Sequence, residues 1–146
     1  MTGMKRKIAA SVLVFVYINL LPYLSRLHGG WDWAAQYLPD TGHLLFGLIF
    51  FQAFASLPSV PIIATIWLGK LGRVGFVLSL LTATAFLAYW HHDYDLASDA
   101  QAAIGLIFIP ICTCTPTLLA AVVGVGISFG LKRIKGEVNR RARTSD

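Results

Sequence analysis

Two stretches of this chain carry no charged residue: the run from Thr41 to Gly69 and the run from Ala100 to Leu131. Such segments have few ways to fold. About 20 consecutive apolar residues, rising 1.5 Å each in a helix, match a hydrocarbon core of about 30 Å. A helix at a water-facing surface needs charged or polar residues along its wet side. Two further apolar stretches lie at 8–24, between Lys5-Arg6-Lys7 and Arg26, and at 74–90, between Arg73 and Asp93. The expected fold is therefore all-α, a polytopic membrane protein. Residues 1–146 are read as a single four-span transmembrane domain, with spans near 8–24, 43–67, 74–90 and 101–131 packed in a small bundle and a basic tail at 132–146. The last uncharged run is longer than a straight span requires, so it must tilt, kink or project beyond the core. Composition agrees: 56% of residues are hydrophobic and 13% charged, against about 25% charged in soluble domains. A disordered chain, a disulfide scaffold and an ordinary soluble enzyme domain are excluded.

The charges that remain are sorted by side. Lys5, Arg6 and Lys7 precede the first span, Lys70 and Arg73 separate the second from the third, and Lys132, Arg133, Lys135, Arg140, Arg141 and Arg143 follow the fourth. Only Arg26 falls on the other side, together with Asp32, Asp40, Asp93, Asp95 and Asp99. The positive-inside rule then places both termini in the cytoplasm, and the expected location is a bacterial inner membrane. The net charge of +5 is read as an orientation signal, so no nucleic-acid partner is expected. The first span is read as an uncleaved signal anchor, because Leu24-Ser25-Arg26-Leu27-His28 offers no small-x-small cleavage site.

Local signals fit these spans. Ser98-Asp99-Ala100-Gln101 has the form of a capping box at the start of span four, and Asp40 or Thr41 is placed to cap span two. Pro22, Pro58, Pro61, Pro110 and Pro116 fall within spans, and each predicts a kink. Trp31, Trp33, Tyr37, Tyr89, Trp90 and Tyr94 gather at the outer level and Trp67 at the inner one, as in an aromatic belt.

Chemistry-bearing residues are sparse. His28, His43, His91 and His92 all lie on or near the outer side. His91, His92 and Asp95 form the candidate metal group, because residues three or four apart share a face if the helix continues. No HExxH motif and no paired CxxC accompanies them, and no histidine is deep enough for axial haem ligation. Cys112 and Cys114 point about 200° apart on a helix. The chain departs from the four-span disulfide-forming oxidoreductases and the vitamin K reductase family, which use CxxC with further loop cysteines; it has only these two. It also lacks the first-span glutamate of the small multidrug exporters. No catalytic residue and no cofactor is expected.

With no ionisable residue at depth, Asn19 and Gln52 are the polar groups costliest to leave against lipid, and they are expected to make helix–helix contacts. Gly124, Gly126 and Gly130 offer small-residue surfaces for another helix, within the bundle or in a homo-oligomer. In span number and size the layout resembles that of small polytopic immunity proteins, which protect a cell against pore-forming or membrane-targeting toxins. No motif accompanies that resemblance, so no residue carries over. The leading expectation is a non-enzymatic protein of the bilayer that acts through a membrane-protein partner, as an immunity protein against a toxin or as an accessory subunit. The alternatives are an oligomeric pore or small transporter, and an outer-face metal or redox site.

Overall fold

The structure, a computed structural model, describes residues 3–36, 44–95 and 102–144. Among these residues the chain forms six α-helices and no strand: α1 (Gly3–Arg26), α2 (Trp31–Ala35), α3 (Leu44–Ala55), α4 (Ser59–Trp67), α5 (Arg73–His92) and α6 (Ala102–Thr144). Short 3-10 turns at Leu27–Gly29 and Gly69–Gly72 join α1 to α2 and α4 to α5. Three stretches are long and apolar enough to cross a membrane: Gly3–Gly29, Gly69–His92 and Ile104–Glu137. The pair Ile49–Ala55 and Ser59–Trp67 supplies a fourth if it counts as one span. The capping box at Ser98–Gln101, the Asp40 or Thr41 cap, Tyr37 and His43 lie outside the described residues.

The second span is not a single kinked helix. Its two halves meet at 56°, and the prolines explain why. Pro58 has no N–H to give the Phe54 carbonyl, which accepts instead from Leu57 N at 3.0 Å. Likewise the Leu57 carbonyl, deprived of a donor at Pro61, accepts from Val60 N at 3.1 Å. Both prolines thereby fall at the start of α4, where N–H groups have no intrahelical partner to lose. α6, in contrast, runs unbroken through Pro110 and Pro116. The basic tail continues this helix to Thr144. Lys and Arg are good helix formers, and Arg133 pairs with Glu137 one turn on at 3.7 Å.

Burial runs opposite to that of a soluble domain. Ser59, Thr65, Ser79, Thr113 and Thr117 are buried beside Ile18, Ile62, Ala83 and Leu87, whereas Leu13, Leu81 and Val122 stand open at 60–70% exposure. In water such a surface would drive association. Against lipid tails it costs nothing, and close packing through small residues is what holds helices together. The tightest seam is α5 on α6. A Cβ placed on Gly124 would lie 2.4 Å from Gly75 Cα, and one on Gly75 would lie 2.8 Å from the Ala121 carbonyl oxygen. Backbone meets backbone there, so neither position has a flexible neighbour to move aside.

Gly124→Ala should therefore lower stability in detergent by about 1–3 kcal/mol through overpacking, despite a helix-propensity gain of about 1 kcal/mol. Gly126→Ala, at a position with open space around it, should keep that gain. Thermal unfolding of the two variants side by side measures the difference.

Candidate functional site

Helix α1 ends on an arginine with no accessible surface. Its guanidinium reaches three acceptors in two separate segments. Nε donates to the Trp33 carbonyl at 2.9 Å, Nη2 to Gln36 Oε1 at 2.7 Å, and Nη1 to the Tyr94 carbonyl. The same group lies over the Trp33 indole, 4.3 Å from its centroid. Arginine suits this position because its planar fork can satisfy several acceptors at once and stack on an aromatic face. The result ties the end of α1 to α2 and to the segment leaving α5. In the sequence Arg26 was only the exception to the charge asymmetry. The acceptors among the described contacts are two backbone carbonyls and a glutamine amide, and no residue pattern announces those.

Beside this anchor, three ligand-type side chains meet. His28 sits in the 3-10 turn that follows α1, with Gly30 (φ 88°) turning the chain into α2. His92 is the last residue of α5, and Asp93 follows it out of the helix at φ −112°. The His28 and His92 rings stack at 3.7 Å with 3° between their planes. Asp93 Oδ1 lies 2.7 Å from His92 Nδ1 and 4.0 Å from His28 Nε2. The second ring nitrogen of His28, Nδ1, lies 3.1 Å from the Ser25 carbonyl oxygen. Trp33 Nε1 donates to the His92 carbonyl at 3.4 Å.

The group assembled is thus His28, His92 and Asp93, in place of the expected His91, His92 and Asp95. Neighbours on a helix point about 100° apart: His91 is buried inside the bundle and His92 faces out. Because α5 stops at His92, the helical spacing that was to bring Asp95 under either ring does not exist. His28 comes from a different loop altogether. The signal that points to it is the parity of the spans, which puts the first and third connections at one end of the bundle.

The remaining candidate residues are dispersed along the helices. Gln52 Nε2 donates to Asn19 Oδ1, and Asn19 Nδ2 donates to the Phe15 carbonyl at 2.7 Å, so this pair joins α3 to α1. Gly124 lies in the α5–α6 seam, whereas Gly126 and Gly130 have nothing within 4 Å of an added Cβ. Cys112 is exposed and Cys114 half-buried, both as free thiols. The hydroxyls of Thr65, Ser79, Thr84, Thr113, Thr117 and Ser128 all donate to carbonyls three or four residues back on their own helices.

Removing the arginine should loosen the end of the bundle that carries the histidines. Arg26→Ala leaves buried carbonyls without a donor, at about 1–3 kcal/mol each. Arg26→Lys should recover only part of the loss, because an ammonium cannot span the fork. Thermal unfolding in detergent, together with protease cleavage between residues 27 and 36, reads both effects. No protein-family model, curated protein or solved structure matches this chain.

Proposed function

We propose that the chain is a four-span integral protein of the bacterial inner membrane with both termini cytoplasmic, and that it acts by lateral contact with another membrane protein. The observation that carries the contact is the outward face of α6. There Gly126 and Gly130 leave a notch with none of the described residues within 4 Å of an added Cβ, flanked by the exposed Val122, Val123, Ile127 and Phe129. An apolar helix bearing its own small residues fits such a notch, because close backbone approach is the main source of helix attraction in lipid. The interior supports the same reading. The hydroxyls of Thr113 and Thr117 are bonded to carbonyls of their own helix, and Asn19 is bonded to Gln52, so these polar groups are engaged within the bundle. An immunity protein against a membrane-targeting toxin, or an accessory subunit, is the concrete form of this function.

The orientation rests on charge. Lys7 Nζ donates to the Trp67 carbonyl at 3.0 Å, which sets the start of α1 beside the end of α4, just before Lys70 and Arg73. The basic clusters so gather at one end, and that end belongs in the cytoplasm.

In a background of Cys112→Ser and Cys114→Ser, a membrane-impermeant maleimide should label Trp31→Cys in intact cells and Gly136→Cys only after permeabilisation. The opposite pattern would invert the topology. A photocrosslinker placed at position 129 should give a discrete adduct with a different membrane protein, and Gly126→Leu with Gly130→Leu should reduce its yield about tenfold, equivalent to about 1.4 kcal/mol. Adducts with lipid alone, or only with a second copy of this chain, would overturn the proposed contact.

A further inference from the structure

We propose that His28, His92 and Asp93 form a binding site for a divalent first-row transition ion of the Zn(II) class, open to solvent at the end of the bundle anchored by Arg26. The donor set comes first. Two imidazoles and one carboxylate suit Zn(II) and its neighbours, whereas Ca(II) and Mg(II) prefer oxygen ligands throughout. One ligand atom from each residue lies within 4.8 Å of the others. Ligands held about 2.0–2.2 Å from a tetrahedral ion stand about 3.3–3.5 Å from one another. His92 Nδ1 lies 2.7 Å from Asp93 Oδ1, a hydrogen bond that an ion would replace, and His28 Nε2 lies 4.0 Å from the same oxygen.

The surroundings of His28 then set its lone pair. Its Nδ1 faces the Ser25 carbonyl oxygen at 3.1 Å, an acceptor, so the proton belongs on Nδ1. Nε2, the nitrogen nearer Asp93, is left with the free electron pair. A ligating histidine whose other nitrogen donates to a backbone carbonyl is the recurrent arrangement in metal sites. The rings stack with 3° between their planes, so one imidazole must rotate for nitrogens of both to point at a single ion.

The backbone carrying the ligands is already held. Arg26 is two residues from His28 and donates to the carbonyl of Tyr94, the residue after Asp93. Trp33, also held by Arg26, donates to the His92 carbonyl. An ion would therefore bind residues whose positions are set before it arrives, which lowers the ordering cost of binding. The side chains remain 43%, 52% and 86% exposed for His28, His92 and Asp93. That leaves coordination positions for water or for an outside ligand. This inference is independent of the proposed lateral partner.

Full-length protein purified in detergent micelles, stripped with chelator and titrated with Zn(II) against a chromogenic competitor tests the site. The expected result is one equivalent per chain, with a rise in unfolding temperature as the ion binds the folded state. Co(II) in its place should show the visible absorption of a four- or five-coordinate ion. His28→Ala and, separately, Asp93→Asn should each weaken binding at least about tenfold, while Asp95→Asn should leave it unchanged. The Asp93 side chain is largely exposed, so its amide variant tests ligation without disturbing the core. Substoichiometric uptake by the folded wild-type protein would overturn the proposal, as would an affinity unaltered by both His28→Ala and Asp93→Asn.

Discussion

Removing an ion from water costs several kcal/mol even after the protein relaxes around it. The Arg26 side chain is removed completely, and it stays charged because a guanidinium is not deprotonated in proteins. Nothing can offset that cost except acceptors brought to it, and they come from α2 and from the segment beyond α5. The positions of the 3-10 turn after α1, of Trp33 and of Tyr94 therefore follow from one buried cation. Among the described residues, the contact found at the other end of the bundle is of another kind. There Lys7 meets the Trp67 carbonyl at the surface, an exposed contact of small energetic weight. Polar order is concentrated at one end.

Between the two ends the interior follows a different rule. Lipid does not drive apolar side chains inward, so helix contact depends on how closely backbones approach. Gly75 and Gly124 allow α5 and α6 to touch, and buried Ser and Thr hydroxyls keep the seams narrow by bonding to their own helices. The Tyr17 hydroxyl instead meets the Thr84 hydroxyl across α1 and α5 at 3.1 Å, and Asn19 and Gln52 bond to each other across α1 and α3. Such a bond is worth about 0.6 kcal/mol on average in a membrane bundle. Its contribution is to register more than to stability, since an unpaired amide in either place would face hydrocarbon.

The long apolar helices were legible in the sequence because a physical length, the hydrocarbon thickness, has to be matched by a countable run of residues. The break at Pro58 was legible only as a kink. A kinked helix and a bent pair have the same composition, and what separates them is which carbonyl each amide near Leu57 selects. Arg26 was visible as a charge on the wrong side, but its burial depends on Trp33, Gln36 and Tyr94 arriving together. The structure groups the histidines differently from the sequence expectation for a related reason. Helical spacing relates His91 and His92 only to near neighbours such as Asp95, and it presumes that α5 continues. Once α5 ends at His92, Asp93 turns toward a loop that local spacing cannot see. His28 enters through topology alone.

The anchored end and the open face of α6 are far apart on the molecule. Tyr94 reaches α6 at Gly105, where an added Cβ would collide with its phenol, so the start of α6 belongs to the Arg26 end. Gly126 lies about 30 Å further along that helix at 1.5 Å per residue. Direct electrostatic influence of a bound ion over such a distance is small in the screened aqueous phase. One packed route between the two ends is the α5–α6 seam, where Gly75 and Gly124 fix one backbone against the other. A seam that rigid transmits rigid-body tilt better than local rearrangement, so along this route an ion drawing His28 toward Asp93 would act on the α6 face by tilting α5 and α6 together.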